Sequence, residues 1–152
     1  MKLRNPTVGS RRQRGLSLIE VLIAMLILAI GLLGIAAMQA ITLRNSQSAF
    51  DRTQVVVLSY AMLDRMRANA AAARAGNYNL AETCAVPTTS TTLIQNDQRL
   101  WIQELRNTLG DATTTCGTIS CLNSVCSITV KWNDSRATAG LSNQTLTTTS
   151  RI

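Results

Sequence analysis

Two groups of side chains in this sequence have the types and spacing to do chemistry. The first is a set of four cysteines, Cys84, Cys116, Cys121 and Cys126, separated by 32, 5 and 5 positions. Such a set could hold zinc, but no CxxC pair is present, which weighs against a metal. In an oxidising compartment the same four form two disulfides, with three possible connectivities. The second is Glu20, directly before Val21 to Met38, a run of 18 residues without a polar side chain. A carboxylate moved into a bilayer costs about 2.5 to 3.5 kcal/mol on insertion scales. One turn into a helix at the cytoplasmic interface, it stays hydrated.

Composition removes most other chemistry. The chain has no histidine, and so lacks the commonest general base and the commonest metal ligand. No GxxxxGK, GxSxG or HExxH pattern occurs. An enzyme is therefore not expected, nor a cofactor, a metal or a small-molecule substrate. The net charge of +7 does not point to nucleic acid, because Lys2, Arg4, Arg11, Arg12 and Arg14 supply five of the fifteen basic residues. Without that segment ten basic residues face eight acidic ones. Five aromatic residues in all give no stacking platform for bases.

The elements that must position these groups follow from hydropathy and period. Residues 1–15 are polar and basic and read as a leader on the cytoplasmic side. From Leu16 the chain is apolar to about residue 42, long enough to span a hydrocarbon layer of ~30 Å. Helix-favouring sequence continues straight through Ala36, Ala37 and Ala40, so a retained anchor fits better than a secretory signal. Val55, Leu58, Met62 and Met66 recur on one helical face, and Asp64 is spaced to pair with Arg67 across one turn. Gly76-Asn77 is a C-terminal stop. The pattern predicts one helix over 16–75, reaching roughly 90 Å and softened at Gly31 and Gly34. A filament needs such a helix; a small soluble domain does not.

Residues 76–152 are rich in Thr, Ser and Asn and form a small globular part. Residues 77–93 read as a loop. Asn96 or Asp97 can cap a helix over about 97–109 that Gly110 ends. Three strands are predicted at 116–121, 125–133 and 144–152, in an antiparallel sheet on the outer half of the long helix. Alternation of Ile128, Val130 and Trp132 with Thr129, Lys131 and Asn133 marks a half-buried strand. With Asn123-Ser124 as a two-residue turn, Cys121 and Cys126 face each other, which leaves Cys84 with Cys116. The fold class is α+β, and the two disulfides compensate for a marginal core.

The segment from Arg12 to Ala24 resembles the type IV prepilin motif. Its parts are a basic leader ending in Gly15, a hydrophobic residue (Leu16, where most pilins have Phe), Ser17, and Glu20 at the fifth mature position before an apolar run. The stretches Ala29 to Gln39, Leu43 to Ser48, Met62 to Asn69 and Ile128 to Asp134 resemble the minor pilin PilV family. The resemblance implies a type IV pilin-like fold, cleavage between Gly15 and Leu16 by a prepilin peptidase, and methylation of the new Leu16 amine. It implies that Glu20 meets such an amine on a neighbouring subunit. Partners are then other minor pilins, the major pilin and inner-membrane lipid. A minor pseudopilin of a type II secretion system shares this N-terminus and is the main alternative. A single-pass membrane protein with a periplasmic binding domain is the alternative of another class.

Overall fold

The computed structural model of the protein describes residues 15, 17–110 and 113–152. The expected leader, Leu16, Asp111 and Ala112 lie outside the described residues. The element order is α1 (Leu18–Ala68), α2 (Ala70–Arg74), β1 (Leu80–Thr83), α3 (Leu93–Leu109), β2 (Cys116–Leu122), β3 (Val125–Trp132) and β4 (Gln144–Arg151). The chain divides into two units, Met1–Gln39 and Ala40–Ile152.

In the first unit the described chain is helical from Leu18 onward, and its apolar side chains are exposed. α1 is one helix long and apolar enough to cross a membrane. It does not soften at Gly31 or Gly34, where no neighbouring side chain lies within 4 Å.

The second unit holds the core. Along α1, Ser48, Asp51, Val55, Ser59, Met62 and Met66 are buried at steps of three and four, one face of the helix. The expected single helix to residue 75 is interrupted. Asn69 leaves helical geometry at φ −124°, ψ 50°, and a five-residue helix follows. Asparagine side chains compete with the helical ladder, which accounts for a break at this residue rather than in the alanine run beside it. α2 ends in a Schellman motif: the Asn77 amide donates to Ala72 O at 3.0 Å, the Gly76 amide to Ala73 O at 3.0 Å, and Gly76 has φ +78°.

Two further expectations are corrected. Residues 80–83 are a strand, not a loop, so the sheet has four strands in the order β1-β2-β3-β4, all antiparallel. β1 is short and its register with β2 shifts, so it carries little of the period-two pattern that identifies a strand. The second helix begins at Leu93 rather than near 97. Its N-cap is Thr92, not Asn96 or Asp97, in a capping box with Gln95. The Thr-x-x-Gln signature was hidden inside a Thr/Ser-rich stretch.

Trp101, Ile102 and Leu105 of α3 join Met62 and Met66 of α1 and Ile119, Ile128, Val130 and Trp132 of the sheet in one hydrophobic core. β3 alternates as its sequence predicts, with Cys126, Ile128, Val130 and Trp132 buried and the residues between them partly exposed. The opposite face of the sheet carries hydroxyls in cross-strand rows. Ser120, Ser127 and Thr149 form one row, and Thr118, Thr129 and Thr147 the next. Ser127 and Thr149 hydroxyls lie 3.0 Å apart, and those of Thr129 and Thr147 2.9 Å apart.

Candidate functional site

In the first unit, Gly15 is exposed and outside the helix. Ser17 starts the helix: its carbonyl accepts from the amides of Glu20 at 3.0 Å and Val21 at 3.3 Å. Glu20 therefore sits in the first turn of α1, where a negative charge complements the helix dipole. It is exposed, and the residues that follow it are apolar and exposed as well. The arrangement offers one carboxylate at the end of a bare apolar rod. Among the described residues of that turn, Glu20 is the one ionisable side chain.

In the second unit the four cysteines are joined in two pairs, Cys84 with Cys116 and Cys121 with Cys126. Asn123 (φ 49°) and Ser124 (φ 66°) supply the two left-handed residues of a type I′ turn, which sets Cys121 directly opposite Cys126. The first pair ties the segment after β1 to the start of β2. The Arg106 guanidinium donates to the carbonyl of Cys84 beside it. A Glu82 carboxylate oxygen and the sulfurs of Cys84 and Cys116 all lie within 4.8 Å of one another. The two sulfurs are bonded to each other, so the thiolates that zinc needs are absent there, and Glu82 is paired with Lys131.

One polar constellation was not singled out from the sequence. Asp134, 4% exposed, accepts from the Ser48 hydroxyl at 2.7 Å and from Arg52 at 3.5 Å. Asn45 Oδ1 accepts the Thr138 amide at 3.1 Å. These contacts fasten the loop between β3 and β4 to the first turns of α1 in this unit. Gly140 packs so close to the Asp134 carbonyl that a Cβ would stand 1.9 Å from it. The available signal was Ser48 and Asp51 falling on the same helical face as Val55, polar residues where core is due. Tyr78 is fully buried and donates to Asp97 at 2.9 Å. Burial and the Asp97 carboxylate raise its phenol above the ordinary value, against a smaller opposite effect of Asn69.

Comparison with family models finds the prokaryotic N-terminal methylation motif at residues 10–36. No curated protein and no solved structure matches the chain. The motif, the apolar helix behind it and the small antiparallel sheet form an α+β, type IV pilin-like arrangement. The motif indicates a pilin or a pseudopilin, a substrate type for prepilin peptidase, and fits a membrane-anchored protein.

Proposed function

We propose that this chain is a minor pilin of a type IV pilus, a non-enzymatic subunit that primes or supports assembly, adhesion and twitching motility. The observation that carries the reading is the methylation motif at residues 10–36, with Glu20 at the fifth position after Gly15 and a membrane-length apolar helix behind it. Residues 1–15 are a leader held in the cytoplasm. Residues 16–42 anchor the subunit in the inner membrane, and 43–152 stand in the periplasm. Prepilin peptidase cuts between Gly15 and Leu16, and the new Leu16 amine is methylated. Removal of five positive charges frees the helix to leave the bilayer for a bundle of other minor pilins and the major pilin.

Glu20 acts at that transfer. In lipid it rests at the interface; among packed helices an uncompensated carboxylate is costly, and the amine of a neighbouring mature N-terminus neutralises it. Mass analysis of the membrane protein should give a mature start at Leu16. A start at Met1, or after Ala37 or Ala40, sinks the reading. Glu20→Ala should be inserted and cleaved normally but incorporated poorly into pili, whereas Gly15→Val should be inserted and left uncut. Wild-type incorporation of Glu20→Ala reduces the carboxylate to a hydrated surface group.

The resemblance of residues 29–39, 43–48, 62–69 and 128–134 to the PilV family favours a pilus over a type II secretion system, whose pseudopilins share the N-terminal motif. Deleting the gene separates the two: loss of surface pili with intact secretion supports the pilin, and loss of secretion with intact pili supports the pseudopilin.

A further inference from the structure

The loop between β3 and β4 is far in sequence from the membrane-length apolar run, and the fold brings it to the point where that run ends. The Thr138 amide donates to Asn45 Oδ1 at 3.1 Å, and Asp134 accepts from the Ser48 hydroxyl at 2.7 Å, across 93 and 86 positions. The loop is also closed on itself. The Asp134 amide donates to the Leu141 carbonyl at 2.9 Å, and the Gly140 amide to the Ala137 carbonyl at 3.1 Å. Residues 134–141 are thus held beside α1 at Asn45 and Ser48.

The level of Asn45 follows from helix length. With Glu20 at the cytoplasmic interface, a hydrocarbon layer of ~30 Å takes about 20 residues, from Val21 to Ala40. Ile41 and Leu43 are apolar and exposed, and Arg44 is the first charge after Glu20. Arg44 then stands about 6 Å beyond the hydrocarbon and Asn45 about 7.5 Å, against a headgroup layer about 5–7 Å deep on each side. A loop bonded to Asn45 is therefore at the level of the lipid phosphates. What it presents there suits an anionic surface. Arg44 and Arg136 are exposed, and so is Leu141, at 60%. The carboxylates that α1 and the loop carry here, Asp51 and Asp134, are buried, and Asp134 is matched by Arg52.

We infer that the β3–β4 loop docks on the anionic lipid headgroups of the bilayer that α1 spans, with Arg44 and Arg136 on phosphates and Leu141 in the interfacial layer. A guanidinium matches a phosphate with two parallel N–H donors, and each cation near an anionic surface shifts binding by about fivefold. Arg52 stands eight residues, about 12 Å, farther along α1 than Arg44 and is engaged by Asp134, so it is not part of the contact. Ser150, which accepts from Arg67 at 2.6 Å, belongs to a level about 35 Å beyond Arg44 and stays clear of the lipid. The inference rests on the reading of α1 as a membrane anchor and holds whether the machine is a pilus or a secretion system.

The test uses the full chain, one copy per nanodisc so that a second copy cannot cover the loop, in phosphatidylcholine alone or with phosphatidylglycerol added. A fluorophore on Ser142→Cys is read for quenching by a nitroxide on the lipid headgroup, with the same label on Thr149→Cys as the distant control. The readout must be local, because Lys2, Arg4, Arg11, Arg12 and Arg14 also attract anionic lipid. The quenched fraction at Ser142 should rise with phosphatidylglycerol and fall back in high salt, while the Thr149 label stays unquenched. Arg44→Gln and Arg136→Gln should each lower the ratio of quenched to unquenched label about fivefold, and Arg136→Lys should keep most of it. Unchanged tryptophan emission, which includes Trp132 at the base of the loop, guards against misfolding. Quenching indifferent to lipid charge, quenching unmoved by both glutamine variants, or a Thr149 label quenched as strongly as Ser142 overturns the inference. A chain that leaves the nanodisc overturns the anchor reading as well; a retained chain with an unquenched Ser142 label overturns this inference alone.

Discussion

Tyr78 shows how a single side chain in this protein binds charge state to stability. Its ring is fully buried and its hydroxyl donates to Asp97 at 2.9 Å. Burial and the nearby carboxylate hold the phenol above its ordinary value of 10.0. The folded state therefore keeps the proton to higher pH than the unfolded state does. The stabilisation is fully present below pH 10 and is lost as pH rises from 10 through the raised folded value. Tyr78→Phe lowers stability at neutral pH by about 1 kcal/mol, through the lost hydrogen bond. Its urea midpoint should then fall less steeply with pH above 10 than that of wild type. Both tryptophans, Trp101 and Trp132, are buried in the second unit, so their emission reports this unfolding without interference from the apolar helix.

Among the elements, α3 and β2 depend most on one small residue. Gly117 lies on β2 directly beneath α3. A Cβ there would stand 2.5 Å from the Trp101 ring and 2.8 Å from Ile102 Cδ1. Both side chains are in the core and cannot swing out to solvent. Gly117→Ala should destabilise the second unit by about 1–3 kcal/mol, as overpacking does, read as a lower urea midpoint with an unchanged slope. The start of α3 is fixed by its capping box, where the Thr92 hydroxyl accepts the Gln95 amide and the Gln95 side chain accepts the Thr92 amide. Helix α3 could be anticipated from its apolar spacing, but its start could not. Thr92 is one of several hydroxyl residues in a row, and only the path of the chain selects which of them caps.

For the molecule as a whole, the disulfides set how much stability the second unit can reach. The Cys84–Cys116 bridge closes a separation of 32 residues, and Cys121–Cys126 closes one of 5. Loop-closure entropy grows with the logarithm of loop length, so the long bridge should stabilise by about 1–2 kcal/mol more than the short one. Replacing each pair by alanine and comparing urea midpoints checks the order. Equal losses would mean that the chain without the long bridge keeps its ends together by other contacts, with the Arg106 bond to Cys84 the first candidate.

Sequence alone determined what local physics dictates. The apolar length from Val21 to Met38, the offset of Glu20 from Gly15, the amphipathic face through Val55, Met62 and Met66, and the Asn123-Ser124 turn each depend on near neighbours. Cys121 and Cys126 belong to this group, because a two-residue turn places them opposite one another. Tertiary structure decided what depends on distant segments. β1 forms although its four residues lack a strand pattern, because β2 offers an edge to pair with. Asp134 is buried because Ser48, 86 positions away in the chain, supplies its hydrogen bond. β4 reads as an ordinary alternating strand in the sequence. That it ends the sheet among the described strands follows only from strand order, which is fixed by packing across the whole unit rather than by any residue within the strand.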